Sequence, residues 1–205
     1  LNLACIVSTY HQTFPERPKV RYSTIRIFNC LTMCFLIICV LVGYARLESE
    51  AHLKDALAAR QTGDWQKLRS EIDKADSPFY RLDPASVPLA WYRGIANYSM
   101  GKFGEALDDF KRAYQIHPNH IHVLNNLGTS YAQAGDNENA AKYYKKALDV
   151  WPEFAEAQIN LGVIYFHMGD FAEARRILMP LGRNHEDVRV SVYQQFIEHK
   201  MDEPI

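Results

Sequence analysis

The residues best equipped for chemistry are His117, His120 and His122, gathered in the run HPNHIH. Three imidazoles at such spacing could bind a transition metal. Pro118 breaks the helix between them, however, and no cysteine or carboxylate nearby completes a ligand set. The run therefore reads as a solvated linker between two helical units. Cys30 and Cys34 stand one helical turn apart inside an apolar run, where packing as small apolar residues outweighs a metal or redox pair. With Cys5 and Cys39 also near the N-terminus, the rest of the chain carries no disulfide framework. Asp108-Asp109 and Lys145-Lys146 read as solvated charges on helix surfaces. No Gly-rich phosphate loop, nucleophile elbow or HExxH run occurs, so the sequence suggests neither an enzyme nor a cofactor.

The chain has 205 residues, enough for one ordinary domain with extensions, and 48% of them are hydrophobic, which suffices for a core. The net charge of −1 conceals an asymmetry. Residues 1–47 carry five Lys or Arg and one Glu, whereas residues 48–205 carry 18 basic and 23 acidic side chains. The acidic part argues against a nucleic-acid surface. The basic part adjoins residues 27–45, IFNCLTMCFLIICVLVGYA, which lack any charge. As a helix this run would span roughly 28 Å, near the thickness of a bilayer's hydrocarbon core. It reads as a transmembrane helix, with a signal peptide as the rival because Gly43-Tyr44-Ala45 resembles a cleavage site. Arg17, Lys19, Arg21 and Arg26 precede the run; Arg46, Lys54 and Arg60 follow it, which weakly places the C-terminal part outside the cytoplasm, in a periplasm.

Past residue 86 the pattern repeats at a step of 34. Gly94, Gly128 and Gly162 form one series, Gly101, Gly135 and Gly169 a second, and Ala106, Ala140 and Ala174 a third. Pro118 pairs with Pro152, and Ala113 with Ala147. The central unit, residues 121–154, resembles a tetratricopeptide (TPR) repeat, a helix–turn–helix of 34 residues. In that reading Gly135 makes the turn, since glycine reaches the left-handed conformation without steric cost. Gly128 and Ala140 let the helices approach, and Tyr131 and Tyr144 fill the space beside them. The expected fold is an all-α TPR solenoid preceded by one transmembrane helix. The expected division is a leader loop at 1–23, the transmembrane helix at 24–46, a degenerate helix pair with an insertion loop at 47–86, and repeats at 87–120, 121–154 and 155–188. A capping helix and tail close the chain at 189–205. Asn97 departs from the repeat pattern, which usually has a large aromatic there. Pro180 and Gly182 should shorten the last repeat's second helix. The capping helix should pack through Val188, Val192 and Phe196.

The resemblance implies a concave groove lined by each repeat's first helix. It assigns to that groove Trp91, Ile95, Tyr98 and Ser99 from the first repeat, and His122, Asn125, Thr129 and Gln133 from the second. The third supplies Glu156, Ile159, Val163, Phe166 and His167. Such a groove has apolar ends, a polar middle and no Arg or Lys. It suits an extended or helical segment with spaced apolar anchors, held through Asn125 and Gln133. The opposing expectation is that Tyr98 and Phe166 serve packing and that the groove is empty or filled by the chain's own tail. The function implied is a membrane-anchored scaffold binding a protein or peptide. A second architecture also fits: the lack of an initial Met, the apolar start and a single span followed by repeats look like the C-terminal tail of a bacterial O-antigen ligase or polymerase-type glycosyltransferase. A co-chaperone that grips a C-terminal carboxylate fits less well, since the first helices carry only Arg93, at a packing position.

Overall fold

The computed structural model describes residues 22–182 and 186–202. The leader at 1–21, with Cys5, and the terminal residues 203–205 lie outside them. Among the described residues the protein is helical throughout, with isolated bridges at Ser77–Tyr80 and Leu82–Pro88 in place of strands. The chain divides into two compact units, residues 1–45 and 46–205.

The described part of the first unit lies in helix α1, Tyr22–Thr62. Ile27, Phe28, Leu31, Phe35, Ile38, Val40 and Leu41 are all exposed there, as are Cys30, Cys34 and Cys39. A soluble helix would bury one face of such a sequence; this segment buries none of it. The helix does not stop where the apolar run stops. Its continuation past Arg46 belongs to the second unit and is the first member of the degenerate pair.

In the second unit the helices follow as α2 (Trp65–Ala75), α3 (Leu89–Ser99), α4 (Phe103–Ile116), α5 (Ile121–Gln133), α6 (Asn137–Val150), α7 (Ala155–His167), α8 (Phe171–Leu178) and α9 (Val188–Asp202). Each hairpin turns on a glycine at positive φ: Gly63, Gly101, Gly135 and Gly169 lie between 73° and 79°. At three turns the next residue is an aspartate that caps the second helix: Asp64, Asp136 and Asp170 accept from the amides of Lys67, Asn139 and Glu173. This satisfies one orphan donor of the first turn. The other glycine series provides space. A Cβ on Gly94, Gly128 or Gly162 would meet Phe110, Tyr144 or Leu178 at 2.6, 2.7 and 2.5 Å, so each pair of helices closes over a bare backbone.

The degenerate pair packs as a cap. Leu53, Ala56 and Ala59 from α1 and Leu68, Ile72 and Ala75 from α2 join the core of α3 and α4. The insertion loop is tied down as well: Asp83 is buried and accepts from the amide of Val87 (2.8 Å) and the hydroxyl of Tyr92 (2.6 Å). Asp109 is not a solvated charge. It is buried between Arg93 Nε (2.8 Å) and Asn97 Nδ2 (2.8 Å), and Arg93 also reaches Asp73 and Asp76. A polar cluster thus occupies the place where the repeat pattern would put an aromatic at Asn97. Nor are the lysines free of structure. Lys146 donates to Tyr114 Oη (2.9 Å), and Lys145 lies 5.2 Å from the centre of the Tyr165 ring.

As expected, α8 is short: eight residues where α4 and α6 have 14, followed by a 3₁₀ turn at Met179–Leu181 containing Pro180. The face that α9 turns inward differs from the expected one. Val190, Gln194 and Ile197 are buried, and Gln194 Nε2 donates to the carbonyl of Leu178 (2.7 Å). Val188, Val192 and Phe196 are exposed. Apolar residues lie on both sides of this helix, so its pattern offered two faces, and the α8 carbonyl left open by the early helix end selects the one carrying an amide.

A candidate groove on the first helices

Helices α3, α5 and α7 line a groove. One recess, of about 260 Å³, lies among Ile95, Tyr98, Ser99, Asn126, Thr129 and Glu156. A larger one, of about 580 Å³, lies among Tyr98, Thr129, Gln133, Asn160, Val163 and His167. Tyr98 and Thr129 border both recesses and make them continuous. Thr129 Oγ1 lies 3.1 Å from Tyr144 Oη, and burial pushes that phenol up to about 12, which keeps it neutral. The floor therefore holds a neutral pair of hydroxyls.

Three residues assigned to the groove are shut away from it. Trp91, Asn125 and Ile159 occupy the same position of their repeats and are 7%, 1% and 2% exposed. Trp91 meets Tyr92 edge-on (5.0 Å) with the Arg60 guanidinium 5.1 Å from its ring, so it packs toward α1. Asn125 Oδ1 accepts from Asn160 Nδ2 (3.0 Å), a rung between repeats, and is not available to a partner's backbone. These side chains point along the solenoid axis at the next helix, which single-repeat reasoning misses. Asn126 and Asn160 supply the amides instead, and neither was expected. His122 is exposed but stands with Phe154 (5.4 Å between centroids), apart from both recesses.

The third repeat's end of the groove is occupied by the chain itself. Phe166 packs against Tyr193 of α9 (5.1 Å), and His167 Nε2 lies 3.0 Å from Tyr193 Oη. The same helix brings Arg189 to the groove wall, where Nη1 donates to Asn160 Oδ1 (2.8 Å) and the guanidinium pairs with Asp187 (2.7 Å). The groove thus has an arginine after all, delivered from outside the three repeats, where no 34-residue register pointed to it.

The histidines form a ring cluster. His120 lies 5.4 Å from His117 and 5.7 Å from His122, and its Nδ1 accepts from the amide of Val123 (3.4 Å) as the cap of α5. Burial, with the two neighbouring imidazoles, holds His120 below the usual histidine value. Among the described residues no group of three or more His, Cys, Asp or Glu is placed to hold a metal. The groove offers ring faces, aliphatic side chains, hydroxyls and amides, which is the chemistry of binding a chain segment.

Comparison with known proteins agrees with this architecture. Two family models described as tetratricopeptide repeat match residues 86–153 and 131–195. The chain carries tetratricopeptide repeats, arranged as an all-α solenoid of the kind that serves as a protein-interaction scaffold. No curated protein matches it significantly over its sequence. Among solved structures, a tetratricopeptide repeat protein from Parabacteroides merdae aligns with a TM-score of 0.63 at 23% identity, over 74% of this chain and 59% of that one. MamA aligns with a TM-score of 0.57 at 20% identity, over 74% and 81%. The first TPR of Spaghetti, bound to an HSP90 peptide, aligns with a TM-score of 0.54 at 16% identity, over 59% and 97%. At these identities the likeness concerns the fold, and the chain spans less than two thirds of the Parabacteroides protein.

Proposed function

We propose that the protein is a membrane-anchored scaffold whose groove holds a segment of a partner protein. The observation that carries this reading is the continuous groove along α3, α5 and α7. Tyr98, Ile95 and Val163 offer apolar anchoring sites, and Asn126, Gln133 and Asn160 offer amides that can bond a main chain. The Spaghetti domain, alike in fold, is bound to a peptide, which supports a peptide segment as the class of partner. Arg189 is held by Asp187 and Asn160, so the groove accommodates a carboxylate at that end without favouring a strongly acidic segment. Residues 27–45, apolar and exposed on every side, support the anchor.

A photo-crosslinking residue placed at Gln133 in the full chain tests this. It should give discrete protein adducts that are lost in the Tyr98→Ala variant, while the same residue at Lys142, on α6 outside the groove, should not. Equal adducts from both positions, or adducts that Tyr98→Ala leaves intact, would show that the groove is not the binding surface.

A further inference from the structure

Successive repeat junctions can be laid over one another at the step of 34 residues, and two of them differ in a telling way. Between α4, α5 and α6 the space is filled. Tyr143 stacks on Tyr131 (5.4 Å between centroids, 3° between planes) and meets Tyr114 edge-on (5.6 Å). Lys111 lies 5.7 Å from the Tyr131 ring, and Lys146 donates to Tyr114 Oη. One repeat later, between α6, α7 and α8, Tyr165 stands in the place of Tyr131, and Lys145 in that of Lys111. The fillers are absent: Leu148 replaces Tyr114, Ile177 replaces Tyr143, and Pro180 replaces Lys146. Because α8 ends at Leu178, no further helical turn covers the gap. A surface recess of about 540 Å³ remains, walled by Leu148, Leu161, Ile177 and Leu181, and Tyr165 supplies the one aromatic ring among its lining residues. It shares no lining residue with the groove.

We propose that this recess is a second docking site, which takes an aromatic side chain presented by a partner protein. The preceding junction shows what the shape packs: a ring lying flat on the conserved-in-register tyrosine, with a lysine at that tyrosine's side. Tyr165 and Lys145 are retained here, and only the stacking ring is missing. The Leu148 and Ile177 side chains form an apolar wall in place of two phenols, which excludes a polar occupant. The recess opens to solvent along its length, so a ring borne on a main chain can enter it. Asp149, which takes the place of Gln115, can accept a bond from a phenol hydroxyl, so tyrosine suits the site best.

The test uses the full chain in detergent micelles with labelled methyl groups, titrated with N-acetyl-tyrosinamide and, separately, N-acetyl-leucinamide. Tyrosinamide should shift the methyl resonances of Leu148, Leu161, Ile177 and Leu181 saturably and bind about three- to tenfold more tightly than leucinamide, the margin a stacked ring pair adds. Restoring the tyrosines with Leu148→Tyr and Ile177→Tyr should abolish the shifts at Leu161 and Leu181 and raise the melting temperature. Should the double variant melt lower than the parent, Ile177→Phe alone provides the blocked form. Tyr98→Ala, in the groove, should leave the titration unchanged, which separates this site from the first. Equal binding of both probes, no saturable shift, or shifts at Leu161 and Leu181 that survive in the blocked form would overturn the proposal.

Discussion

Glycine serves two distinct purposes in this chain. Gly135 is needed for its backbone: φ is 79°, and nothing lies within 4 Å of a Cβ built there. Gly128 is needed for space, because a Cβ would sit 2.7 Å from the Tyr144 ring. Gly128→Leu should therefore cost about 1–3 kcal/mol by overpacking, read as a lowered melting temperature with helical content retained. His120 gives a pH dependence of known sign. In the unfolded chain it takes a proton near its ordinary value of 6.5, while in the fold burial, His122 and His117 hold it lower, against a smaller opposing pull from Asp83. As pH falls, the unfolded state binds the proton first. Stability present above that ordinary value is lost as pH drops through the folded one. The fall in melting temperature between about pH 7 and about pH 5 should be shallower in His120→Asn, which keeps a capping acceptor and removes the titration. An unchanged slope would assign the pH dependence to other groups.

Helix α9 shows how an element's role depends on its neighbour. A period of 3.6 placed Val188, Val192 and Phe196 on one face and Val190, Tyr193 and Ile197 on another, and both are apolar. The second face packs, since Gln194 on that side reaches the Leu178 carbonyl at the end of α8 and Tyr193 reaches His167. Ile197 is fully buried, whereas Phe196 is 54% exposed. Ile197→Ala should destabilise by about 2–5 kcal/mol, and Phe196→Ala should stay within about 0.5 kcal/mol. Thermal melts of the two variants check the choice of face; the reverse order of effects would restore the other one. The short α8 matters in the same way. Pro180 ends it, and the missing turns expose a junction that the preceding repeat fills with its own tyrosines.

For the molecule as a whole, the apolar part of α1 has no partner within its own unit among the described residues. Carbonate washing should leave the full chain in the membrane pellet and detergent should release it. A variant lacking residues 27–45 should stay in the soluble fraction with its repeats folded. A full chain that washes off with carbonate would exclude an integral anchor. The excess of Arg and Lys before the span predicts that protease added to sealed spheroplasts digests the repeats. Full protection would place them in the cytoplasm.

What the sequence determined by itself is the repeat. Steric needs that are local, a left-handed turn at Gly135 or a bare backbone at Gly128, recur at a fixed step and can be read without coordinates. The same holds for the apolar run, the early end of α8 and the packing role of Arg93. What only the tertiary structure decided are the contacts between one repeat and the next. Asn125 and Trp91 read as groove residues, yet the adjacent helix buries them, because stacking direction is set by neighbours that lie 34 or more residues away. Asp109 read as solvated, yet it is the buried partner of Arg93, a pairing across two helices. Arg189 and Tyr193 reach the groove from a helix outside the register. The recess beside Tyr165 became visible only when two junctions could be compared in space, since the substitutions that open it lie on separate helices, α6 and α8.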